Sequence, residues 1–376
     1  MNYRRDKVKK IVFTLITIST TILFFACSNP TVSTEVESSN EITTTESSSE
    51  TTTDTVETTT EETTTSEPTT EETTTAEPTT QPPETTTKKP EVETETYLPP
   101  VSFKGPVGAD VFVDHGKTLN IYGDIDPNDE RVIKLQQALQ GYSKRISLAV
   151  WRKDGTKALS YNTQQTYFSA CTIKMGYMLN VCKLIDQGVA DENTLMAYQE
   201  KYYHRGSGVI RKGAYGTEYS LKKLINLALS ISDNVAYKML SAYFGREEYN
   251  AYMDQLGCNS IKLSTMWASK ANVRDYIKIW NEAYDYFYSD GKMAAHLKDS
   301  CTNTPFNYGT ETLAAGIDYS HKSGDNFGAS AVYNDAGIVW HDNAYIYAVF
   351  TNSEGTNYDV TTVNNVMDLV YEIITE

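Results

Sequence analysis

Cys171 and Lys174 stand three residues apart in Tyr167-Phe-Ser-Ala-Cys-Thr-Ile-Lys174, a small-residue turn that runs into a helix reaching Ile185. At about 100° per residue the two share one helix face. Cys171 then lies in the first turn, where unpaired N–H groups and the positive end of the helix dipole act on it. A thiol nucleophile, an amine one turn behind it and an N-terminal field can together carry out acyl transfer. Two more polar clusters follow: Ser232-Asp233-Asn234, which interrupts a helical pattern, and Lys322-Ser323-Gly324, on a strand. Singly, each has an ordinary explanation. A lysine one turn into a helix is usually a surface residue, Ser232-Asp-Asn can cap the next helix, Lys-Ser-Gly can be a turn, and a free cysteine is often a small buried hydrophobe.

Together, Cys171-Thr-Ile-Lys174, Ser232-Asp233-Asn234 and Lys322-Ser323-Gly324 resemble the Ser-x-x-Lys, Ser-Asp-Asn and Lys-Thr-Gly set of class A β-lactamases and penicillin-binding proteins. Their order and the elements that carry them agree as well. Gly206-Ser-Gly-Val-Ile210 is also similar to that family, and the resemblance runs from about Asn128 to the C-terminus. It implies that Lys174 takes or relays the nucleophile's proton, its pKa lowered by burial and nearby cations. It further implies that Ser232 passes a proton to the leaving nitrogen and that Asn234 binds the acyl amide. Lys322 and Ser323 would hold the ligand's carboxylate, with Gly324 letting it approach the strand. The N–H groups of Cys171 and Asp325 would form the oxyanion hole.

The chain departs from the pattern twice. Cys171 replaces the nucleophilic serine, and Ser169, five residues before Lys174, is about 140° out of position on a helix. A thiolate beside an ammonium is a good nucleophile. From the tetrahedral adduct of an ordinary amide, however, thiolate leaves more easily than an unprotonated amine, whereas a strained β-lactam ring relieves that problem. The second departure concerns deacylation, which in class A enzymes uses a Glu on a loop between the second and third motifs. Asn234 and Lys322 are 88 residues apart, short by about one such loop, and Asp254 and Asp275 are the only acids between Glu248 and Glu282. Slow deacylation, or none, is expected unless another group supplies the base.

The elements that must position these groups are legible in outline. Asp129–Leu139 has helical periodicity with Val132, Leu135 and Leu139 on one face. Ile146–Trp151 and Lys157–Tyr161 form a hairpin about Asp154-Gly155. A helical block follows the Cys171 helix: Ser220–Ile231, Val235–Phe244, Glu247–Leu256 and Ser269–Tyr286. Strands at Ser320–Gly324, Ala331–Trp340 and Ala344–Thr351 precede a last helix over Thr361–Ile374, while the pieces within Asp110–Gly123 are strand-like but have no assignable place. Two strands alone are marginal, so both ends must pair. The expected fold is α/β, a five-stranded, mostly antiparallel sheet flanked by the terminal helices, with an all-helical lobe and a cleft between them.

The formal charge of the 376 residues is −16, but it is unevenly placed. Residues 28–96 hold seventeen acids against two lysines, residues 1–27 carry +4, and the remainder is about −5. Nothing is basic enough to suggest a nucleic-acid partner. Arg4–Lys10 and the apolar run Ile11–Ala26 read as a signal segment over 1–26, short for a spanning helix, with an uncleaved anchor as the alternative. Leu23-Phe-Phe-Ala-Cys27 resembles a bacterial lipobox, which implies lipidation of Cys27 and a membrane-anchored, extracytoplasmic protein. Residues 27–97, rich in Thr, Glu, Ser and Pro with a repeated decamer at 61–80, form an extended spacer, and the globular domain occupies 98–376. No Cys-x-x-Cys pair supports zinc, Cys171 and Cys182 are about 16 Å apart on one helix, and other disulfide pairings stay open.

The expected function is that of a β-lactamase-like hydrolase or acyl-transfer domain acting on β-lactams or peptidoglycan stem peptides, as a monomer, without metal or organic cofactor. Two other readings compete. One is a non-catalytic module that grips the same ligands; the other is a Cys–His thiol peptidase, for which only His321 is available.

Overall fold

The computed structural model describes residues 100–103, 112, 116–264, 268–302, 304–305 and 317–376. The segments 1–26 and 27–97, with Cys27, lie outside the described residues. Two short strands, β1 (Val101–Phe103) and β2 (Asn120–Gly123), pair in parallel. Helix α1 (Glu130–Gln140) starts where the Asp129 carboxylate accepts the Arg131 N–H, and buries Val132, Leu135 and Leu139 as the periodicity requires. β3 (Ile146–Arg152) and β4 (Lys157–Tyr161) form the hairpin, with Gly155 supplying the positive φ, 73°. β5 (Tyr167–Phe168) leads through a 3-10 turn at Ala170–Thr172 into α2 (Ile173–Asp186).

The helical lobe follows: β6 (Leu195–Ala197), β7 (Glu218–Ser220), α3 (Leu221–Ser230), α4 (Asn234–Phe244), α5 (Glu247–Gln255), β8 (Lys270–Ala271), α6 (Val273–Phe287) and α7 (Ala294–Cys301). The chain returns to the sheet as β9 (Asp318–Asn326), β10 (Val332–Trp340) and β11 (Tyr345–Thr351), and ends in α8 (Asn357–Thr375). The sheet runs β1-β2-β4-β3-β11-β10-β9, antiparallel throughout except between β1 and β2. One face is covered by α1 and α8 over a core that includes Leu135, Val150, Tyr347, Val366 and Val370. The other face shares its core with the lobe, where Ala149, Ala336 and Phe350 meet residues such as Met178, Leu224 and Trp280.

The sheet thus has seven strands among the described residues, not five. The five expected strands are its centre; β1 and β2, three and four residues long, extend the edge beyond β4. Strands that short carry too few side chains for alternation to be read. α6 begins at Val273, later than expected, because Lys270 and Ala271 pair with Phe168 and Tyr167 and Asn272 caps the helix. α8 begins at Asn357, earlier than expected, because Thr356 and Asp359 form a reciprocal capping box. Cys171, Cys182, Cys258 and Cys301 are all free thiols.

Candidate active site

α2 passes through the lobe, and every residue from Ile173 to Cys182 is buried. Lys174 is therefore carried inside, 2% exposed, while Cys171 on the preceding turn stays partly accessible. Neither that turn nor α2 has a side-chain N-cap, which leaves their first N–H groups without a side-chain acceptor. Ala170 enters the turn with φ at 46°, a left-handed conformation that costs a non-glycine residue about 1 kcal/mol and sits immediately before the nucleophile. The turn is held from behind by Thr172, whose hydroxyl lies 2.7 Å from that of Tyr276.

The second motif closes over Lys174. Its Nζ donates to the Ser232 carbonyl at 2.7 Å, to Ser232 Oγ at 3.3 Å and to Asn234 Oδ1 at 2.7 Å. Cys171 Sγ lies 3.8 Å from the same Asn234 oxygen. The reason the loop takes this shape is Asp233. Fully buried, it caps α4 by accepting the Val235 and Ala236 N–H groups, and accepts the Val209 and Ile210 N–H groups with its other oxygen. Ser232 is thereby held at φ 55°. Gly208 permits the contact, since a Cβ there would stand 2.2 Å from Asp233 Cγ. The middle residue of the motif is thus structural and its two neighbours face the nucleophile.

β9 brings the third motif to the same place. A Cβ on Gly324 would lie 2.6 Å from the Cys171 nitrogen and 2.8 Å from that of Thr172, so only glycine allows the strand to lie this close to the turn. Lys322, 2% exposed, donates to the Ser323 carbonyl at 2.8 Å. Ser323 is buried beside it, and Asp325, the residue after Gly324, is exposed. The structure therefore joins Cys171, Lys174, Ser232 and Asn234 in one set of side-chain contacts, with Gly324 of the strand that carries Lys322 packed against the Cys171 turn.

Electrostatics in the cleft favour a mobile proton. Burial pushes the Cys171 thiol up, but the ammonium groups of Lys174 and Lys322, with hydrogen bonds from Ser232 and Lys174, bring it below its ordinary value. Desolvation lowers Lys174 despite the opposing charges of Cys171 and Asp233. Lys322 is lowered to about 8, again by burial first, with Cys171 opposing and Lys174 reinforcing the shift. Two cations sharing one buried site with a thiol produce this pattern.

His321 does not serve the thiol. It is fully buried, with Nδ1 3.0 Å from Asp335 Oδ1 and Nε2 2.7 Å from Thr304 Oγ1, so both ring nitrogens are engaged away from Cys171. Ser169 is buried too, its N–H donating to the Ser269 carbonyl and its Oγ accepting from the Ser269 N–H. The two acids noted between the motifs are committed elsewhere: Asp254 pairs with Lys262, and Asp275 accepts the Ser260 N–H and hydroxyl. Sequence reasoning missed Tyr237, whose ring lies 5.8 Å from Lys174 Nζ. Its position three residues after Asn234 on one helix is the signal that could have found it. Among the described residues no three His, Cys, Asp or Glu side chains gather as metal ligands.

Residues 131–374 match the family model described as the beta-lactamase enzyme family. No curated protein matches the chain. Among solved structures, the chain is similar to a beta-lactamase from Sphaerobacter thermophilus, at 19% identity and a TM-score of 0.59 over 65% of this chain and 96% of the other. A class A beta-lactamase from Bacteroides cellulosilyticus gives 20%, 0.58, 66% and 100% for the same quantities. A PBP-A variant, solved as an acyl-enzyme complex with penicillin G, gives 19%, 0.59, 64% and 94%. At these identities the structures establish a shared fold.

Proposed function

We propose, from the premise that this chain belongs to the beta-lactamase enzyme family, that it is a penicillin-recognising domain in which Cys171 accepts the acyl group of a β-lactam or a peptidoglycan stem peptide. The observation that carries the reading is that Cys171 Sγ and Lys174 Nζ share the Asn234 side-chain oxygen, that Lys174 also donates to Ser232 Oγ, and that the strand carrying Lys322 lies against the Cys171 turn at Gly324. In the reaction, the Cys171 proton passes to Lys174 and the sulfur attacks the ligand's carbonyl carbon, forming a C–S bond. The carbonyl oxygen, negative in the adduct, is received by the backbone N–H groups of Cys171 and Asp325. The C–N bond then breaks and the nitrogen takes a proton through Ser232, which regains one from Lys174. Lys322, charged below about pH 8, holds the ligand's carboxylate. The product is a thioester. Water attacks it to release a carboxylic acid and restore the thiol, and with Asp254 and Asp275 engaged elsewhere this step is slow.

The proposal extends to placement. Export through residues 1–26, lipidation of Cys27 and a spacer over 27–97 would set the domain at the outer face of a membrane, within reach of cell-wall peptides. Loss of a lipid label in Cys27→Ala tests the anchor, and its retention contradicts it. The chemical claim is tested by Cys171→Ser: the family's usual nucleophile in an otherwise intact cleft is expected to yield β-lactam acylation or hydrolysis that Cys171→Ala lacks. Identical, reversible ligand binding by wild type, Cys171→Ser and Cys171→Ala, with no adduct in any, would instead establish a binding module.

A further inference from the structure

The two chain segments that flank the nucleophile continue together into a second, polar cavity. Phe168 is three residues before Cys171, at most about 10 Å of extended backbone, and Gly328–Ser330 forms the turn at the end of β9, just past Gly324. These segments, with Lys144, Arg145 and Lys270, wall a cavity of about 560 Å³. The Asn334 side-chain amide ties the walls by donating to the Phe168 carbonyl at 2.9 Å, and the Arg145 N–H donates to Asn352. Among the described residues, Lys144, Arg145 and Lys270 are exposed and form no ion pair, and Glu354 is the one carboxylate that lines the cavity. Three cations against one acid is a local excess of positive charge on a domain that is negative overall.

We propose that this cavity, whose wall at Phe168 is at most about 10 Å along the chain from Cys171, is a subsite for a second anionic group on the acyl side of the ligand. The inference rests on the acyl-transfer reading and narrows it. The preferred ligand bears, besides the carboxylate held at Lys322, a distal carboxylate in its acyl chain, as an acidic peptide does and a plain alkyl or aromatic side chain does not. Lys144, Arg145 and Lys270 attract that group electrostatically; being exposed, each contributes modestly and is screened by salt.

The test uses the full chain and two penicillins of equal side-chain length, 6-aminopenicillanic acid acylated with adipyl, ending in a carboxylate, or with hexanoyl, ending in methyl. Their acylation rates at Cys171 are compared by intact mass. The wild type is expected to favour the adipyl compound about fivefold at low salt, and the preference is expected to shrink in 0.5 M NaCl. It should fall towards unity in Arg145→Glu/Lys270→Glu, and persist in Lys134→Glu, a charge reversal on α1. Equal rates in the wild type, or a preference that survives the double reversal, overturn the subsite. Should neither compound acylate, the acyl-transfer reading fails, and calorimetric binding of the same pair to Cys171→Ala decides the subsite separately: preference for adipyl supports it and equal affinity overturns it.

Discussion

Gly324→Ala probes the closest approach in the cleft. The added Cβ would lie 2.6 Å and 2.8 Å from two backbone nitrogens, which cannot swing aside as a side chain would. Restoring even a 3.4 Å contact separates β9 from the Cys171 turn by about 0.8 Å. Overpacking of this kind costs about 1–3 kcal/mol, a fall of a few degrees in melting temperature for a domain of this size. Its chemical effect is larger, because the strand carrying Lys322 then stands about 1 Å from its working position relative to the sulfur, and such misplacement costs about 10²-fold in rate. The assay pairs two reactions of Cys171: acylation by a fluorescent penicillin, which needs the strand, and alkylation by iodoacetamide, which does not. The variant should lose about two orders of magnitude in the first and little in the second. A folded Gly324→Ala that is acylated at the wild-type rate would refute the claim that β9 and the turn act as one site.

Further outcomes follow from the same geometry. Acylation by a carboxylate-bearing β-lactam should rise with pH as the thiolate forms and decline above about 8, where Lys322 loses its charge; Lys322→Met should act poorly throughout and lack the alkaline decline. In that variant the pH profile of iodoacetamide alkylation should shift upward, since one of the cations lowering the Cys171 thiol is gone. Asp233→Ala leaves four N–H groups without their acceptor and should cost about 3–5 kcal/mol in urea denaturation; a loss below about 1 kcal/mol would contradict its structural role. Native alkylation should modify Cys171 while sparing Cys182 and Cys301, whose thiols burial raises, the latter to about 12.

What was legible in the sequence depended on how many residues carried each signal. The three motifs were readable because six of their eight defined positions agree in type and all eight agree in order and element, and the central five strands because each is long enough to alternate or is bounded by turns. β1 and β2 lacked that length. The start of α8 was hidden because Thr356 and Asp359 act through hydrogen bonds rather than an apolar stripe. Within the site, Ser232-Asp-Asn can be read from sequence either as a helix cap or as part of the site, and the structure holds both: Asp233 caps α4 and thereby presents Ser232 and Asn234 to Lys174. Positive φ at Ala170 and Ser232 has no sequence signature, since neither residue type favours it. His321 could be singled out as the one histidine near the third motif, but the Asp335 and Thr304 partners that engage it come from distant positions in the chain.

The most direct measurement is mass spectrometry of the protein after incubation with penicillin G, followed by mapping of the modified peptide. The account predicts a single adduct of the intact drug, on Cys171, that persists for minutes or longer and is absent from Cys171→Ala. No adduct and no hydrolysis, or an adduct on any other residue, would contradict it.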